Sequence, residues 1–347
     1  MSILKMANDA HSSNNFDFVR LCAAMMVVIS HVPPLRENTF GLGYLAAGGV
    51  FTFFAISGYL VSASWERDPS PTRFLARRAI RIYPALICTI CVAAFAVGPL
   101  LSSLPAHEYF ASEGLHTYLR SIFLWPMKYG LPGLFEGNKS TLANGALWTL
   151  PMEVSMYLFL AAASVVMRRS IVPALAIGIA LSYGLEVQHV SGFFLTMDAQ
   201  ELTRTGSCFA FGALLWIYRK KILMVPWAFI PAAIFIYLVR GTPIEIWALL
   251  IMVPYSAIAF AVSATPWIKN FGKFGDPSYG IYIYGYLIQQ TLLDRFPDIS
   301  RDRFAILSII LSIAAGYLSW HLIEKPFLRL KPSRANQFNR SAVSAKL

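Results

Sequence analysis

The chain has 347 residues, 56% of them apolar and only 14% charged, with a mean hydropathy of +0.55. Soluble domains carry about 25% charged residues, so an ordinary soluble globule is excluded, and 25 Phe, 16 Tyr and 8 Trp exclude a disordered chain. The formal charge of +11, from 29 Lys and Arg against 18 Asp and Glu, is therefore read against a membrane surface and not against nucleic acid.

A helix needs about 20 mostly apolar residues to cross about 30 Å of hydrocarbon, and backbone polar groups in lipid have to be satisfied internally. The hydropathy pattern predicts an all-α polytopic transmembrane bundle of about ten spans. They are placed near 19–35, 46–64, 82–101, 146–166, 171–189, 203–218, 222–239, 244–263, 277–294 and 304–322. The apolar stretch 117–127 is too short to span and is placed at an interface. Lys and Arg collect around 67–78, 168–169, 219–221, 269–273 and 325–346, which predicts that both termini are cytoplasmic. Residues 1–15 are read as a polar cytoplasmic N-terminus with no cleavable signal, 16–326 as the transmembrane domain and 327–347 as a basic cytoplasmic tail. No internal repeat is visible, and four cysteines make no disulfide framework.

Ionisable groups inside a span are expensive and mark function by default. In the first span, Asp17 is read as a helix cap, and Arg20 and His31 lie eleven residues apart. That spacing is about three turns, so both share a face about 16 Å apart along the axis. A neutral imidazole at His31 can take and return a proton near physiological pH; the alternative is a structural histidine bonded to a neighbouring helix. The second span holds Gly48, Gly49, Ser57 and Gly58, small residues that favour close helix packing, while Ser57 is also a candidate ligand contact.

Entering the third span, Arg77, Arg78 and Arg81 crowd one helix face at i,i+3 and i,i+4 spacing. Like charges so close repel unless an anion lies between them, and guanidinium forks match phosphate; the alternative is plain positive-inside anchoring. Cys88 and Cys91 follow with no partner for a metal site and read as packing residues. The outward segment 102–145 carries His107, Glu108, Glu113, His116 and Glu136 and is the expected acceptor-selecting loop.

Glu153 enters the fourth span with no basic partner in its own helix, so it is either protonated or paired across helices. His31 is at a similar depth, and a carboxylate bonded to imidazole would be a base-and-orienter pair; a structural carboxyl is the alternative. In the ninth span Tyr279, Tyr282 and Tyr286 form one aromatic stripe, whose hydroxyls either guide a polar ligand or close an ordinary core. Glu324-Lys325-Pro326 reads as a helix stop after His321.

Taken in order, these segments resemble the acyltransferase-3 family, the multi-span bacterial O-acyltransferases that modify cell-surface glycans. The resemblance runs from Asn15 to about Pro326. It rests on Arg20 with ten residues to His31, Phe53-Phe54 before Ser57-Gly58, and Arg78-x-x-Arg81 before Ile82-Tyr83-Pro84. Trp148 to Glu153 with Tyr157, Ser278-Tyr279 with Tyr282, and Glu324-Lys325-Pro326 complete it. Gly285 departs from it, because many relatives carry His there.

The resemblance implies an O-acyltransferase of the inner membrane that uses cytoplasmic acyl-coenzyme A, usually acetyl-coenzyme A, and no metal. Its acceptor would be a hydroxyl of a carbohydrate or lipid-linked glycan. Arg20, Arg78 and Arg81 would hold the coenzyme's phosphates, His31 would be the general base or acyl carrier with Glu153 orienting it, and Ser57, Tyr279 and Tyr282 would contact substrate. Two rivals stand beside it. A transporter of a small polar metabolite would also bury Arg, His and Glu, and a non-catalytic scaffold would explain the packing motifs but not the arginines.

Overall fold

A computed structural model describes residues 14–37, 42–167, 175, 178–179, 192–194 and 197–332. The expected span 171–189 lies almost entirely outside the described residues, as do residues 1–13 and the tail from 333.

The apolar runs fold as helices. In chain order α1 is Phe16–Glu37, α2 Gly43–Arg67 and α3 Pro71–Leu101. Two short outer helices, α4 (Ala106–Ala111) and α5 (Glu113–Leu119), precede α6 (Gly145–Met167). Then come α7 (Ala199–Ile217), α8 (Phe229–Leu238), α9 (Ile244–Ala261), α10 (Ser278–Arg295) and α11 (Arg301–Leu328). Phe193–Phe194 and Met197–Asp198 form a two-residue antiparallel β pair. Among the described residues five helices, α2, α3, α6, α9 and α11, are long and apolar enough to cross a membrane. α1, α7 and α10 are long enough but more polar, and two of them carry site residues. The span expected over 222–239 is shorter than read: Pro226 opens a 3₁₀ turn and the helix proper has ten residues.

Local chemistry sets the joints. α2 stops at Arg67, and Pro71, pre-set in φ, starts α3 four residues later. α3 and α11 each contain a π turn, Ala93–Val97 and Trp320–Glu324. The second replaces the expected helix stop: the widened turn lets the helix run past Pro326, whose missing N–H falls in the new first turn.

The glycines of the second span do what packing predicts, against two partners. Gly49 lies on Ala23 and Val27 of α1, and a Cβ on Gly58 would collide with the Phe209 carbonyl oxygen of α7. Gly212 of α7 meets the Ala55 carbonyl in the same way, so α2 and α7 cross almost backbone to backbone. Their ends stay together, with Arg219 holding Glu66 at 3.0 Å. α1 begins at this same end, where Asn15 donates to the Phe260 carbonyl at 3.0 Å. The ends carrying Arg67, Arg73 and Arg219 thus gather on one side of the bundle.

At the other end the segment 102–145 is stapled to α10. Asn144 donates to the Ile283 carbonyl at 2.7 Å, Gln290 to the Leu142 carbonyl at 2.7 Å, and Ser140 and Tyr286 share a 2.9 Å hydroxyl bond.

Candidate active site

The basic end of the bundle holds the densest charge. The expected row of Arg77, Arg78 and Arg81 with an anion between them is not what forms. Arg77 turns away and joins Arg73 on Asp68, at 2.7 and 2.6 Å. Hydrogen bonds from Arg73, opposed by burial and aided by Arg77, hold the Asp68 carboxylate well below its usual range. Arg81 reaches across to Asp276 and Glu324, both at 2.8 Å. Arg20 takes the same Asp276 oxygen at 3.2 Å and Asp17 at 3.3 Å. Burial alone would raise the Asp276 pKa, but Arg81 and then Arg20 hold it below normal. Asp17, read as a cap, sits inside the first turn and serves Arg20, while Asn14 accepts the Phe16 N–H at 3.1 Å. Asp68 and Asp17 are local partners, whereas Asp276 and Glu324 lie 195 and 243 positions from Arg81, beyond the reach of a local pattern.

Arg78 differs. Among the described residues it has no carboxylate within 4 Å, and its Nε is buried without a hydrogen-bond partner. Its guanidinium lies over the Tyr157 ring, 5.9 Å from the centroid.

A cavity of about 110 Å³ opens from these cations into the bundle. Seven of the eight residues singled out from sequence line it: Arg20, Ser57, Arg78, Arg81, Glu153, Tyr279 and Tyr282. Gly275, at φ +114°, packs on the Trp320 indole and delivers Asp276 and Ser278 to its mouth. Tyr279 donates to the Ile82 carbonyl at 3.0 Å and flanks Arg81, and Tyr282 shares a 2.7 Å hydroxyl bond with Thr149. Both hydroxyls are satisfied by protein, yet both rings face the cavity.

Glu153 and His31 do not bond. The Glu153 carboxylate accepts a short hydrogen bond from Tyr157 and a 3.3 Å one from Ser57, whose hydroxyl also meets Tyr157 at 2.8 Å. Glu153 thus bonds Ser57 of α2 across helices and Tyr157 of its own helix, the Ser and Tyr partners of a structural carboxyl, and not the imidazole expected beside it. Tyr157 is i+4 from Glu153 on one helix face, a signal that was available. His31 is absent from the cavity lining and meets the Tyr286 ring edge-on at 5.1 Å, one turn beyond Tyr282 on α10. Cys88 and Cys91 are free thiols.

A helical membrane protein with a cation-rimmed pocket leading to buried carboxyl and hydroxyl groups is the class that these observations define. The chain belongs to the acyltransferase-3 family, whose model, described as an acyltransferase domain, matches residues 13–321. It is 33% identical over 340 residues to a Shigella phage Sf6 protein named O-acetyl transferase, covering 92% of this chain and 97% of that one. It is 28% identical over 366 residues to Nodulation protein 10 of Rhizobium leguminosarum bv. viciae, covering 94% and 97%. No solved structure gives a match. The protein is a membrane acyltransferase, and the transporter and scaffold readings give way to it.

Proposed function

We propose that the protein transfers an acetyl group from acetyl-coenzyme A to a hydroxyl of a carbohydrate or cell-surface glycan, in the inner membrane, with the basic end of the ten-span bundle and both termini in the cytoplasm. The observation that carries the donor assignment is Arg78, a guanidinium held at the pocket rim with no carboxylate within 4 Å among the described residues. It supports a phosphate ligand, because a buried cation needs an anionic partner. Arg20 and Arg81 add positive charge and are themselves positioned by Asp276. A volume of about 110 Å³ holds roughly eight waters at about 10–15 Å³ each. That admits the acyl end of the donor and leaves its nucleotide at the mouth.

His31 acts on the acceptor. As general base it takes the hydroxyl proton while the hydroxyl oxygen forms a bond to the thioester carbonyl carbon. The C–S bond then breaks, and the leaving thiolate receives the proton from the imidazolium. Carrying the acetyl group on His31 first would divide the same step in two. Glu153, with Ser57 and Tyr157, forms the polar floor on which the thioester rests. Tyr282, bonded to Thr149, lines the pocket one helical turn before Tyr286, the ring that His31 meets.

Mass spectrometry of surface polysaccharide from cells with and without the gene tests this reading. Loss of ester-linked acetyl groups is expected, and an unchanged ester content overturns it.

A further inference from the structure

α10 runs beside α1 in the same direction and frames the turn that carries His31. Asp276 meets Arg20 at its start, a Cβ on Gly285 would lie 2.8 Å from Val28 Cγ2, and the Tyr286 ring meets His31. Three residues on, Gln289 is fully buried, and its Nε2 donates to the Val28 carbonyl at 2.9 Å. An amide oxygen would repel that carbonyl, so the bond fixes which way the amide points. Oε1 is turned away from Val28, buried and, among the described residues, without a hydrogen-bond partner.

The turn of α1 that Gln289 holds is short of its own bonds. Pro33 and Pro34 have no N–H for the Ile29 and Ser30 carbonyls, so two bonds of the helical ladder are missing around His31. The Val28 carbonyl points along the axis toward this turn, and His31, three residues beyond Val28 on the same face, leans back over it. The imidazole makes no hydrogen bond among the described residues; its neighbour is the Tyr286 ring. A buried acceptor lacking a donor thus stands at the level of a ring lacking an acceptor. The other polar groups at this height belong to α11. Gly316 lies on Gly280 and Ser312 beside Gly285, so in this antiparallel pair Ser308 comes level with Gln289. Ser308 and Ser312 are buried hydroxyls without partners among the described residues. A serine can turn to a carbonyl of its own helix, a choice the imidazole does not have.

We propose that Gln289 is the positioning residue of His31: Nε2 clamps the backbone turn, and Oε1 accepts the imidazole N–H. That bond fixes one tautomer and leaves the other ring nitrogen free for the acceptor hydroxyl. The proposal rests on the reading of His31 as the group that acts on that hydroxyl. The pair forms by rotation of the two side chains while the Val28 bond holds the helices, and it strengthens as the ring becomes imidazolium. The amide is neutral and takes no proton, so the proton gained at the free nitrogen stays on the ring until the leaving thiolate receives it.

The test uses the full chain in bilayer discs of phosphatidylethanolamine and phosphatidylglycerol, with the histidine rings labelled by nitrogen-15 and read by NMR. His31→Ala identifies the His31 signal among the six histidines. The parent is expected to show one tautomer with a hydrogen-bonded N–H. Gln289→Leu, similar in size but without the acceptor, should give a mixture of tautomers. It should also slow acetyl transfer about 10- to 100-fold, the worth of a hydrogen bond to a group charged in the transition state. Acetyl-coenzyme A affinity should stay within about twofold, because Gln289 is outside the donor cavity. Gln289→Glu keeps an acceptor oxygen and should restore the single tautomer and most of the rate; Gln289→Met replaces the Leu variant if that one does not accumulate. Ser308→Ala should change neither readout. A mixture in the parent, a tautomer indifferent to Gln289→Leu, or the same change in Ser308→Ala overturns the proposal. Transfer that survives in His31→Ala refutes the base assignment instead, whatever the tautomer.

Discussion

Asp276 and Arg81 meet at 2.8 Å through a carboxylate oxygen that Arg20 also approaches at 3.2 Å. This joins the start of α10 to the first and third helices, and Glu324 at the end of α11 completes the knot through Arg81. Two arginines that look alike in sequence, Arg78 and Arg81, therefore have different duties. Among the described residues one is held by protein carboxylates, and the other faces the pocket with none within 4 Å.

Arg81→Ala should accordingly be a folding lesion. It takes the cation from the buried Glu324 carboxylate and leaves Asp276 to Arg20, at a cost of about 3–5 kcal/mol for breaking a buried pair. Arg78→Ala should leave thermal stability near the parent and weaken acetyl-coenzyme A binding by about 10- to 100-fold, the worth of a hydrogen bond to a charged group. Thermal unfolding and donor titration on both variants check this. Equal losses of stability would refute the division.

His31→Ala should abolish transfer by a factor of at least about 100 while donor affinity stays within about twofold, because the imidazole lies outside the donor cavity. Equilibrium binding and single-turnover transfer, measured on the same preparation, distinguish the two effects. A parallel fall in donor affinity would place His31 in the donor site instead.

The crossing of α2 and α7 makes a sharper structural prediction. A side chain at Gly212 has only the Ala55 backbone to push against, so Gly212→Val should cost more than the usual 1–3 kcal/mol of overpacking, about 3 kcal/mol or more, and lower the yield of inserted protein. Gly206→Ala, six residues earlier, meets Met156 Cε at 3.6 Å, an ordinary contact, and should be tolerated. Similar yields for the two would mean the helices do not cross so closely.

What the residues disclosed in advance follows a physical line. Helices, the small-residue crossings at Gly49 and Gly58, and the membership of seven site residues in one cavity all arise from patterns local in sequence or from family resemblance. Partner choice does not. Arg81 finds Asp276 and Glu324, 195 and 243 positions away, and no helical periodicity encodes that. Equal depth and the family resemblance point Glu153 toward His31, but depth fixes height along the membrane and says nothing of the angle around the bundle. The π turn at Trp320–Glu324 was equally hidden, since Lys325-Pro326 reads as a terminator unless the preceding turn is known to widen.

Lys331 offers a test from outside the motifs. It follows α11 beyond the end of the family match at residue 321 and sits partly buried near the pocket mouth. Burial, then repulsion from Arg78, Arg81, Arg20 and Arg77, lowers its pKa to about 8. A lysine is charged below its pKa, so this ammonium is present at pH 7 and largely lost by pH 9. An anion bound at the mouth favours the charged form, and by reciprocity the charged form favours the anion. Acetyl-coenzyme A affinity should therefore fall as pH rises through about 8. Lys331→Ala should weaken binding at pH 7 by about three- to tenfold and flatten the profile between pH 7 and 9. Lys331→Arg, charged throughout, should keep the affinity and also lose the pH dependence. Titrations at the two pH values decide it: a parent profile that stays flat, or a slope that survives in both variants, would remove Lys331 from the donor site.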